Sequence, residues 1–99
     1  MHIHYRLFLV HEIFSYESKK VLRNQIFEII ENQIRENDPA ETKETYDRLQ
    51  KQGFDDLQTR QLIGQCLVVE LFDVMKYGQP YNNERYIRNL KALPKEPFD

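Results

Sequence analysis

Cysteine, histidine and glycine are scarce in this chain, and each shortage removes a class of chemistry. Cys66 stands alone among 99 residues, so no intrachain disulfide can form and a reducing cytoplasm is the expected compartment. The three histidines, His2, His4 and His11, all lie near the N-terminus. In a strand His2 and His4 would face one side, but two ligands at a chain end do not make a selective tetrahedral site. Gly53, Gly64 and Gly78 are isolated, so there is no glycine-rich loop to cradle a phosphate. Neither sign of charge dominates: 14 basic and 16 acidic residues leave a net charge of −2, without the basic excess that phosphate neutralisation demands of a nucleic-acid binder. Long apolar runs are missing too. Leu7 to Val10 is cut short by His11 and Glu12, too short for a signal-peptide core and far from the ~18 apolar residues of a membrane span. The expectation is a soluble cytoplasmic protein with no cofactor, no nucleic-acid partner and no membrane partner.

What is present suffices for one domain. A hydrophobic fraction of 40% with 12% aromatics supports a single compact core. Residues 1–14 are ambiguous. Ile3, Tyr5, Leu7 and Leu9 alternate as in a strand, while Ile3, Leu7, Val10 and Phe14 also fit a helical stripe. No second strand pattern follows, so a helix or an extended arm is the reading preferred here. The remainder predicts four helices, over about 18–36, 39–52, 56–77 and 83–93, in an all-α bundle with a short tail from 95 to 99. Ser15 or Ser18 can cap the first, whose stripe is Leu22, Ile26, Phe27, Ile29, Ile30 and Ile34. Asp38 is the expected cap of the second, with Pro39 in the first turn and Glu41 closing a capping box. That helix turns Tyr46 and Leu49 inward and stops at Gly53, with Phe54 anchoring the turn in the core. Asp55 and Gln58 form a capping box for the third helix, which Gly78 and Pro80 end. Asn82 caps the fourth, Tyr81 and Tyr86 are spaced for a hydrophobic staple, and Tyr86, Ile87, Leu90 and Leu93 make its buried stripe.

The third helix raises the sharpest question. Between Leu67 and Met75 apolar residues point in almost every direction, so this helix is expected to be buried on most sides, by its own bundle or by a partner. Thr59, Cys66, Glu70, Asp73 and Tyr77 share one narrow polar stripe. If that stripe faces inward, Glu70 and Asp73 become candidates for metal binding or acid–base work, because buried carboxylates need a partner or a shifted pKa. The preferred reading makes it a solvated strip, since ionised carboxylates are almost never fully buried unpaired. A di-metal bundle would also need Glu-x-x-His steps, and no histidine follows His11. Cys66 has no basic neighbour in sequence to lower its pKa and reads as an inert buried thiol. Gly64, costly in a helix interior, marks the close approach of another helix, within the fold or across a dimer. Arg85 and Arg88, with Lys91 and Lys95, read as a mildly basic solvated end.

Asp38-Pro39, Tyr46-Asp47-Arg48-Leu49 before Gly53-Phe54, Leu71-Phe72-Asp73 before Gly78, Glu84-Arg85-Tyr86-Ile87, and Leu90 through Leu93-Pro94 together resemble a group of small bacterial helical proteins of unknown function. The likeness runs from about Asn37 to Pro94, a little over half the chain. It implies a bacterial cytoplasmic helical domain and brings no activity with it. Leu49 to Leu62, around Gly53-Phe54, is similar to ubiquitin-associated-type three-helix domains. It departs from them in carrying Gln52 where a methionine is usual, and in a much longer following helix.

With no catalytic or metal-site residues assigned, the functional expectation is a protein–protein interaction module, very often a self-associating one when apolar surface is in excess. Leu67, Val68, Leu71, Phe72 and Met75 are the candidate interface. The alternative is a carboxylate-based metal or enzymatic bundle using Glu70 and Asp73.

Overall fold

The computed structural model describes residues 16–97, and over these the chain forms four helices and no strand. Helix α1 spans Tyr16–Glu36, α2 Ala40–Lys51, α3 Asp56–Tyr77 and α4 Asn83–Ala92. The N-terminal segment with its three histidines, and the Ser15 cap, fall outside the described residues. Ser18 lies inside α1 and is therefore not its cap.

Turn chemistry sets the boundaries. At the end of α1 the Asn37 N–H donates to the Ile34 carbonyl and the Asp38 N–H to the Gln33 carbonyl. This is a Schellman closure with Asn37 at a φ of 53°. Gly53, at a φ of 107°, closes α2 the same way: its N–H reaches Gln50 and that of Phe54 reaches Leu49. Phe54 packs against the core, as the Gly-Phe pair suggested. The reciprocal capping box of Asp55 and Gln58 starts α3. Asn82 Oδ1 accepts from the Arg85 N–H at the start of α4, and the Tyr81 and Tyr86 rings meet at 5.9 Å as the expected staple.

The cap of α2 differs from the sequence expectation. Pro39, not Asp38, is the N-cap residue, and among the described residues no side-chain cap hydrogen bond forms there. The reason lies one element earlier: the Schellman closure of α1 runs through Asp38, whose N–H is committed to Gln33. One short link cannot both finish α1 and present the Asp38 carboxylate to α2.

Helix α3 is the spine, packed against each of the other three. Ile26 and Ile30 of α1, Leu49 of α2, Ile63, Cys66 and Leu67 of α3, and Tyr86, Leu90 and Leu93 around α4 form one buried cluster. Gly64 marks where α1 crosses α3: a Cβ there would stand 3.2 Å from Ile26 Cγ2. The close approach read from the sequence is therefore made inside the fold.

Candidate functional site

The Gly78 turn sends the chain back so that the first turn of α4 lies beside the last turns of α3. Gly78 adopts the left-handed conformation, with its N–H on the Val74 carbonyl. This return places Arg85 against Glu70 and Asp73. Arg85 Nε donates to Glu70 Oε2 at 2.6 Å and Nη2 donates to Glu70 Oε1 at 3.0 Å, a bidentate pair. The same Nη2 also reaches Asp73 Oδ2. Glu70 Oε1 accepts in addition from the Asn82 backbone N–H at 3.0 Å, so this carboxylate sits on the N-terminus of α4, where the helix dipole favours negative charge.

Burial makes the cluster consequential. Glu70 is 0% exposed and Asp73 is buried, while the Arg85 side chain is 13% exposed. The hydrogen bonds of Glu70, and then of Asp73, hold the Arg85 guanidinium in its charged form and raise its pKa against the opposing effect of burial. Two expectations are thereby overturned. Glu70 and Asp73 do not form a solvated strip, and Arg85 is not part of an exposed basic end. The general rule about buried carboxylates holds, but here it is met by a partner and not by solvent.

The rest of the polar stripe splits. Thr59 and Cys66 are buried, and Tyr77 is 50% exposed. Burial, and then the nearby Glu70 charge, push the Cys66 thiol up to about 12. Its Sγ lies 3.9 Å from the Leu62 carbonyl oxygen, consistent with an inert thiol. Among the described residues the buried Thr59 hydroxyl has no hydrogen-bond partner. The candidate interface splits too. Leu67 and Phe72 are buried, Val68 and Leu71 are half-buried against the core, and Met75 is 64% exposed. Apart from Leu57 at its start, the large apolar side chains this helix exposes are at its end, where Val74, Met75 and Tyr77 are joined by Tyr81 beyond the turn.

An open cleft of about 470 Å³ lies at the same corner, lined by Asp73, Gln79 to Glu84 and Arg85. Its walls come from the end of α3, the turn and the first residues of α4, with Pro80 and Tyr81 among the polar groups. Among the described residues no group of three His, Cys, Asp or Glu side chains comes together as a metal site, and no helix is long and apolar enough to cross a membrane.

A second polar cluster escaped sequence reasoning. Tyr86 Oη and Thr42 Oγ1 both donate to Gln33 Oε1 at 2.7 Å, joining α4, α2 and α1 through groups of which Tyr86 and Thr42 are fully buried. Burial is the main cause that raises the Tyr86 phenol pKa. At the other end of α4, Arg48 donates to the Leu90 and Leu93 carbonyls at 3.0 and 2.8 Å, satisfying the C-terminal end of that helix with a cation. Arg60 bridges Asp56 and Glu31 and stands 5.6 Å from the Tyr46 ring centroid.

Arg85 carried one signal in the sequence: it is a cation in the first turn of a capped helix, where the dipole disfavours it. Such a residue calls for a nearby carboxylate, and a short turn after α3 brings its last two turns into reach. Comparison with known proteins gives no match to a family model, to a curated protein or to a solved structure.

Proposed function

We propose that this chain is a protein–protein interaction module that associates through the apolar end of α3, with a second copy of itself as the first partner to test. The observation that carries the reading is the contrast along one helix. Leu67 and Phe72 enter the chain's own core, while Val74, Met75 and Tyr77, with Tyr81 beyond the turn, remain exposed on its final turns and after it. Large apolar side chains grouped in this way favour burial against another protein. The lone, buried Cys66 suits a reducing cytoplasm, and the reading places the module there.

Sedimentation equilibrium over a wide concentration range tests it. The expected result is a reversible rise in mass that is lost in a Met75→Lys variant whose circular dichroism and melting are unchanged. A monomer at every concentration would remove self-association. The metal or acid–base alternative has less support, because Arg85 already supplies the positive charge that Glu70 and Asp73 face.

A further inference from the structure

We draw no further inference here: the strongest candidate, the open cleft between the end of α3 and the start of α4 lined by Asp73, Tyr81 and Arg85, carries nothing because its buried charged groups belong to the Glu70–Asp73–Arg85 cluster already described and nothing in the structure shows what would fill it.

Discussion

Two carboxylates and a guanidinium removed from water together are stable only as a set. The carboxylates have lost nearly all of their hydration and the guanidinium most of it, and the pairing offsets that loss through the bidentate geometry and the Asn82 N–H. Removing Arg85 leaves Glu70 and Asp73 buried without their shared cation. Arg85→Met is therefore expected to cost about 3–5 kcal/mol in urea unfolding. If that variant fails to fold, Glu70→Leu with Arg85→Met keeps the idea testable. The double change removes the unbalanced charge at Glu70 and should be more stable than Arg85→Met alone. A double variant no better than the single one would mean that the pair contributes packing and not charge compensation. Thr59 poses the opposite case, a buried hydroxyl with nothing to bond among the described residues. Thr59→Val keeps the shape and removes the desolvated group, so chemical denaturation should show a gain of about 1 kcal/mol. A loss would show that the hydroxyl is satisfied after all.

At the scale of elements, what could be read from sequence was local and what could not was long-range. Gly53-Phe54, the Asp55–Gln58 box, Gly78 and Asn82 all act within a few residues of themselves, so each boundary they mark is present in the structure. Asp38 failed because two closures compete for one link. The Glu70–Arg85 pair stayed hidden because its partners sit on different helices, and their meeting depends on how the turn at Gly78 aims α4. The same holds for Gln33, Thr42 and Tyr86, which lie on three helices. Gly64 is intermediate: its cost announced a contact, and only packing names Ile26. Alanine at 64 would gain about 1 kcal/mol of helix propensity but must displace Ile26 Cγ2, at 3.2 Å from the new Cβ. Ile26 is itself buried and β-branched, with little freedom to yield. In thermal unfolding Gly64→Ala is expected to give less than the propensity gain, and to recover it in an Ile26→Ala background. Equal effects in both backgrounds would show that the crossing is looser than this distance implies.

Across the whole molecule, α3 touches each of the other helices, as α2 also does, and Cys66 sits fully buried at the middle of α3. The thiol is buried within the core cluster, so its ionisation is tied to opening of the helices packed around it. Burial raises it from an ordinary value of 9.0 to about 12. Above pH ~9 the unfolded chain has released this proton while the folded chain retains it, so the unfolded state binds fewer protons and stability must fall as pH rises. The window closes near pH 12, where the folded thiol would ionise as well. The buried Tyr86 phenol, raised in the same direction, adds to the decline. Urea unfolding followed from pH 8 to 11 should show this loss, at about 1.4 kcal/mol per pH unit for one fully linked group. Cys66→Ala isolates the share of the thiol from that of the raised phenols, Tyr81 among them. The variant starts less stable because a buried side chain is lost, yet its stability should decline less steeply, so the gap to the natural chain narrows as pH increases. Parallel curves for the two proteins would mean that the thiol ionises without unfolding, and that the centre of α3 is open to solvent in the folded state.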